Sequence, residues 1–139
     1  MQIVFTVAGK PETQGSIRSF NSARTGKIVS VSDNPRLGSY RYEVGMMAML
    51  ALAQTNYPKP MCDKHVAVEL VLEFTLLRPQ KCPKGRKWPS VKPDIDKLTR
   101  ATLDALTGIL YVDDGQVVRV LAEKVYGLVE QVHISMRSC

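Results

Sequence analysis

Cysteine, histidine and long apolar runs are all scarce in this chain, and each shortage excludes something. Cysteine occurs only at Cys62, Cys82 and Cys139. An odd, scattered set with no C-x-x-C supplies neither a disulfide framework nor a cysteine zinc site. It reads as the free thiols of an intracellular protein. The two histidines, His65 and His133, have no His or Cys partner at a metal-like spacing, so each reads as a strand residue rather than a ligand. The most apolar stretch, MMAMLALA at 46–53, falls far short of the ~20 residues that span a bilayer. The start MQIVFTVAG lacks a basic region and reads as a strand, not a secretory signal. These features lead to the expectation of a soluble, cytoplasmic protein with no membrane partner.

The chain has 139 residues, 45% of them hydrophobic, which suits one domain over 1–139 with a core of its own. A domain near this size buries roughly two-thirds of its unfolded surface, so no staples are needed. Its formal net charge is +6, which favours an acidic partner. The distribution is more telling. Residues 78–92, RPQKCPKGRKWPSVK, carry Arg78, Lys81, Lys84, Arg86, Lys87 and Lys92 without one acid. Aspartates follow at once. A basic apron beside an acidic cluster suits a polyanion that must approach carboxylates, and cations must then intervene.

Periodicity places the elements. Residues 2–8 alternate with β-branched residues and read as a strand; 9–25 read as a polar loop; KIVSV at 27–31 is a short second strand. From 36 to 55 apolar residues recur at Tyr40, Val44, Met47 and Ala51, widened by Met46, Met49, Leu50 and Ala53, which predicts a mostly buried helix. This Met-rich helix is also a candidate interface. HVAVELVLEFTLL at 65–77 is the clearest strand. The proline-rich basic stretch 78–92 reads as a mobile loop. A second helix is expected over 95–106, stopping near Gly108, then strands at 116–126 and 129–136. The fold class is therefore α+β: a single domain with a mixed β-sheet of about five strands and two main helices. No internal repeat or linker interrupts it.

The chemistry lies in KPDIDKLTRATLDALTGILYVDDGQVV, residues 92–118. Asp94 after Pro93 suits a helix N-cap, and Asp96 in the first turn suits the macrodipole. Asp113-Asp114-Gly115 between two apolar segments suits a hairpin turn. Yet each end of the helical segment needs one carboxylate and has two. If the chain doubles back through 107–112, three or four carboxylates converge, and one would take up a proton unless a divalent cation relieved the conflict. All-oxygen ligands select Mg²⁺ or Mn²⁺. Asp96, Arg100 and Asp104 share one side of the helix. Arg100 is either an i,i+4 partner of Asp96 or a cation for a scissile phosphate. Asp104 reads as an Arg100 partner, and Lys97 as a possible DNA contact.

The same stretch resembles the signature of RusA-type Holliday junction resolvases, P-D-x-D-N-L-x-K-x-x-x-D-A-L-x-G-x-x-x-x-D-D-x-Q-V. Pro93, Asp94, Asp96, Leu98, Asp104, Ala105, Leu106, Gly108, Asp113, Asp114, Gln116 and Val117 match it. VAGKPETQGSIR is similar to the family's opening loop at Gly9, Pro11, Gly15 and Arg18. The resemblance implies a RusA-like fold and a small homodimeric endonuclease, bacterial or phage-encoded, that nicks four-way DNA junctions in recombination and repair. It implies Mg²⁺, with Mn²⁺ possible, held by Asp94, Asp96 and Asp114, with Asp113 adjacent. Two positions depart: Lys97 stands where the family usually has Asn, and Arg100 where it has a catalytic Lys. Arg stays protonated and acts electrostatically, not as a proton donor.

The resulting expectation is a metal-dependent endodeoxyribonuclease for branched DNA. Asp94, Asp96, Asp114 and Arg100 form its catalytic set. Lys81, Lys84, Arg86, Lys87, Lys97, Arg18 and Arg24 hold the DNA backbone. Trp88 reads as an edge-of-core anchor rather than a base-stacking residue. The alternatives are a non-catalytic junction-binding protein and a nuclease acting on flaps or simpler DNA.

Overall fold

The computed structural model describes residues 1–15, 17–32 and 34–139, the side chains of 17–20 and 29–32 excepted. Strands β1 (Gln2–Ala8), β2 (Ile17–Asn21) and β3 (Ile28–Ser32) lead into helix α1 (Leu37–Ala53). Then come β4 (Val68–Leu77), α2 (Ile95–Leu106), a 3₁₀ turn (Asp114–Gln116), β5 (Val117–Gly127) and β6 (Gln131–Ser138). The main sheet has four strands in the order β1-β6-β4-β5, and β2-β3 form a separate hairpin. The α+β class and mixed sheet hold. The expected count of about five strands is corrected to four, because KIVSV pairs with a strand hidden in the stretch 9–25 instead of joining the main sheet.

β4 and β5 run parallel, so a crossover must join them, and α2 is that crossover. β1 with β6 and β6 with β4 are antiparallel. Alternation puts Ile3, Phe5, Val7, Leu70, Leu72, Phe74, Val132, Ile134 and Met136 on one face, where they are buried with residues of both helices.

α1 follows its predicted span but presents a different stripe. Tyr40, Val44, Ala48 and Leu52 are buried, whereas Met49 and Leu50 are exposed. A segment apolar nearly all round does not reveal its buried side. Gly45 faces α2 closely: a Cβ there would lie 3.4 Å from Ile109 Cδ1 and 3.6 Å from the Ala105 carbonyl oxygen. Beside this crossing, Tyr40 Oη and Thr102 Oγ1 share a buried 2.8 Å hydrogen bond, and burial lifts the Tyr40 pKa to about 12.

Candidate active site

α2 matches its predicted limits. Asp94, at φ −73° and ψ 133°, is the last extended residue before the helix, though its side chain makes no capping hydrogen bond. The helix ends before Gly108, whose φ of +82° favours glycine. Leu98, Ala101, Thr102, Ala105 and Leu106 are buried, which turns the opposite side of α2 outward.

The N-terminal end of α2 is tied to the sheet by Lys124 on β5. Its Nζ donates to the Val91 carbonyl at 2.7 Å and the Pro93 carbonyl at 2.8 Å. The basic loop is pinned too. Arg78 donates to the carbonyls of Arg86 (2.6 Å) and Pro83 (2.8 Å), and its guanidinium lies 5.6 Å from the centre of the Tyr126 ring. Arg78 at its start and Lys124 of β5 at its end thus bond the backbone of the basic loop. Lys81, Lys84 and Lys87 stay exposed, and Arg86 is half-buried. Trp88 is 61% exposed, which corrects its reading as a core anchor. An indole held in the open among lysines is suited to stacking on an unpaired base. On the expectation of branched-DNA binding, Trp88→Ala should weaken that binding about tenfold, from the ~1–3 kcal/mol of one stacked base, with unchanged thermal stability. Fluorescence anisotropy with a labelled junction measures it.

At the other end, Asp113-Asp114-Gly115 opens a 3₁₀ turn into a parallel strand, not a hairpin. Asp113 Oδ1 accepts from the Gly115 N–H at 3.2 Å. Gln116 locks the turn. Its Oε1 accepts from the N–H groups of Val112 (2.8 Å) and Asp113 (3.0 Å), and its Nε2 donates to the carbonyls of Asp63 and Val66, both at 2.9 Å. Tyr111, buried below, donates to the Leu103 carbonyl at 2.7 Å. The turn is thus fastened both to α2 and to the segment before β4.

An open cleft of ≈ 480 Å³ follows the seam between α2 and β5, lined by Asp96, Thr99, Arg100, Leu103, Asp114 and Val120, among others. Asp96 and Asp114 thus meet in one cleft, from the two ends of the motif. Asp94 lines a second depression with Lys10, Glu12 and Lys97, and its carboxylate lies 3.4 Å from Lys97 Nζ. The expected convergence of three or four carboxylates is corrected. Among the described residues no three acids, histidines or cysteines come close enough to hold a metal ion. Asp94, extended ahead of the helix, lines one depression, and Asp96, in the first turn, lines the other.

Two further expectations change. Among the described residues Arg100 has no ion pair with Asp96 or Asp104, so its guanidinium is free to face the cleft. Asp104 instead accepts a short hydrogen bond from Gln14 Nε2, and the Gln14 N–H donates to the Lys97 carbonyl at 3.0 Å. The opening loop is thereby docked on α2. Sequence reasoning gave no role to Gln14, Gln116 or Lys124. Gln116 alone had a signal, its place in the matched pattern. Arg24 is exposed in the β2–β3 turn, while the side chain of Arg18 lies outside the described residues.

The Asp114 carboxyl is pushed above the usual carboxylate range, first by its hydrogen bond with Asp113, then by burial and by the charges of Asp113 and Asp104. Its folded pKa exceeds its unfolded one. The native state therefore binds the extra proton, and stability falls as pH rises through the folded pKa. In metal-free protein, Asp114→Asn should raise Tm above wild type at neutral pH. The gain should shrink as the solution is acidified through the raised pKa and be gone below the ordinary carboxylate range. Scanning calorimetry across pH in EDTA measures this.

The fold is an α+β domain with an acidic cleft between α2 and β5. The family comparison makes the class specific. A model described as endodeoxyribonuclease RusA matches residues 9–137. The chain is also 30% identical over 138 residues to YqaN of Bacillus subtilis (strain 168), an uncharacterized protein, covering 97% of this chain and 95% of that one. The chain belongs to the RusA endodeoxyribonuclease family. No helix among the described residues is long and apolar enough to cross a membrane.

Proposed function

We propose that this protein is a Mg²⁺-dependent endonuclease that resolves four-way DNA junctions by paired nicks, working as a homodimer. The observation that carries the reading is the cleft that holds Asp96, Asp114 and Arg100 together. Its donor chemistry fits a hard divalent cation: both carboxylates supply oxygen, and the acidic neighbours Asp113 and Asp104 add charge that such an ion relieves. Asp96 and Asp114 would hold the ion. Asp94, two residues from Asp96, is the further carboxylate implied by the family resemblance. A bound Mg²⁺ would neutralise phosphate charge and acidify a water.

The chain's own residues do the rest. Arg100 presents a permanent cation to the scissile phosphate and offsets charge as the water oxygen bonds to phosphorus and one P–O bond breaks. Lys81, Lys84, Arg86 and Lys87 hold the backbone on the approach to the cleft. Lys97, paired with Asp94 at the start of α2, would add a further backbone contact. Trp88 distinguishes unpaired bases at the branch point from continuous duplex. Paired nicks on a symmetric junction require two such clefts related by a two-fold axis.

The test is incubation of labelled four-way junction, flap and linear duplex with the protein in Mg²⁺ and in EDTA. Junction nicking in Mg²⁺ alone is expected. Tight binding with no cleavage would instead make this a junction-binding protein. Arg100→Lys is expected to keep nicking within about tenfold of wild type, because the charge is what matters. A loss of more than ~100-fold in single-turnover assays would mean that the guanidinium makes a two-pronged contact.

A further inference from the structure

Both helices pack on one face of the main sheet, and among the described residues no helix packs on the other. The register arranges that open face into four rows across all four strands. The first is Gln2, Arg137, Glu69 and Arg119. The second is Val4, Ser135, Val71 and Leu121, the third Thr6, His133, Glu73 and Glu123, and the fourth the uncharged Ala8, Gln131, Thr75 and Val125. The first and third are charged rows that flank an apolar middle row. In the middle row Val4 is 49%, Val71 42% and Leu121 63% exposed. The first row holds two arginines against one glutamate; Glu69 pairs with both Arg119, at 2.6 Å, and Arg137. In the third row Glu73 and Glu123 stand directly opposite with no arginine or lysine in register. Like charges placed so cost stability in an isolated sheet.

We infer that this open sheet face is the surface on which a second copy of the chain docks, with the two-fold axis running along the Val4–Ser135–Val71–Leu121 row. That axis lays apolar row on apolar row and turns each flanking charged row onto the other. Arg119 of each copy then faces Glu123 of the other, twice per dimer. The axis along the strands instead sets each charged row on itself. Charge complementarity therefore selects both the occupant and its orientation. Four strands spaced ~4.8 Å and some eight residues at ~3.4 Å give about 500 Å² per copy, near the ~1,000 Å² total that a specific interface needs. Facing sheets pack ~10 Å apart, within reach of these side chains.

The inference rests on the homodimer reading and fails separately from it. Sedimentation equilibrium of the full chain decides. The wild type is expected at twice 15.5 kDa. Leu121→Lys should raise the dimer dissociation constant at least ~100-fold. Glu123→Arg should also weaken the dimer, and the double variant R119E/E123R should restore it. Leu50→Lys, on the outward side of α1, should leave it intact. A dimer unaffected by Leu121→Lys and Glu123→Arg, or one lost through Leu50→Lys instead, overturns this surface and leaves the homodimer standing. A monomeric wild type overturns both. Circular dichroism confirms that the variants, all at exposed positions, remain folded.

Discussion

Asp114→Asn is expected to abolish junction nicking, lowering the single-turnover rate at least ~10³-fold, the equivalent of about 4 kcal/mol of lost charge stabilisation. Junction binding should survive, because the basic loop that holds the backbone is a separate element fixed by Arg78 and Lys124. Asn preserves the size of the side chain, removes its charge, and eases the crowding with Asp113 and Asp104. The folded protein should therefore be no less stable while the reaction fails. Asp96→Asn, in the same cleft, should behave alike. Asp94→Asn separates the two remaining readings of that residue. A loss as deep as that of Asp114→Asn makes Asp94 a ligand, and a shallow loss makes it the partner of Lys97. Gel assays of nicked junction, with anisotropy for binding, measure both quantities. Nicking by Asp114→Asn within tenfold of wild type would remove Asp114 from the site.

Gln116→Ala should produce the largest effect on stability of any exposed or half-buried polar change near the site. The side chain makes four hydrogen bonds of 2.8–3.0 Å and joins the Asp113-Asp114 turn to the segment before β4. At ~1 kcal/mol per bond, discounted for partial exposure, the loss is about 2–3 kcal/mol. For a domain of this length that is a fall in Tm of roughly 6–12 °C. Nicking should fall as well, because Asp114 begins the turn that Gln116 fastens. Gln116→Glu separates the two effects. It keeps the acceptor for Val112 and Asp113 but loses the donor to Asp63 and Val66, and it adds a further carboxylate beside Asp113 and Asp114. Its Tm should lie between wild type and Gln116→Ala. Equal melting of all three proteins would show that the turn holds itself.

The parts of the fold that local chemistry decides were readable in the sequence. Pro93 and Asp94 mark the start of α2 and Gly108 its end, so that helix lies where the sequence puts it. β1, β4, β5 and β6 follow from alternation and β-branched residues. What escaped depends on contacts distant in the chain. β2, IRSFN, has no apolar alternation to announce it and exists because β3 pairs with it. The loop 78–92 reads as mobile because its anchors, Tyr126 and Lys124, lie some forty residues further on. The apolar surround of α1 conceals which side is buried. At the site, spacing shows that Asp96, Arg100 and Asp104 share a helix side. It does not show that Asp104 is taken by Gln14, or that Asp94 turns toward Lys97. The family pattern supplied the acids; the packing of α2 on β5 sorted them.

The proposed function requires Asp96 and Asp114 to form a divalent cation site in the α2–β5 cleft. Titration of Mn²⁺ into DNA-free protein, with free Mn²⁺ followed by electron paramagnetic resonance, tests it most directly. Saturable binding is expected for wild type, competed by Mg²⁺, and lost in both Asp96→Asn and Asp114→Asn but retained in Glu123→Arg. Binding that persists unchanged in both cleft variants would contradict it.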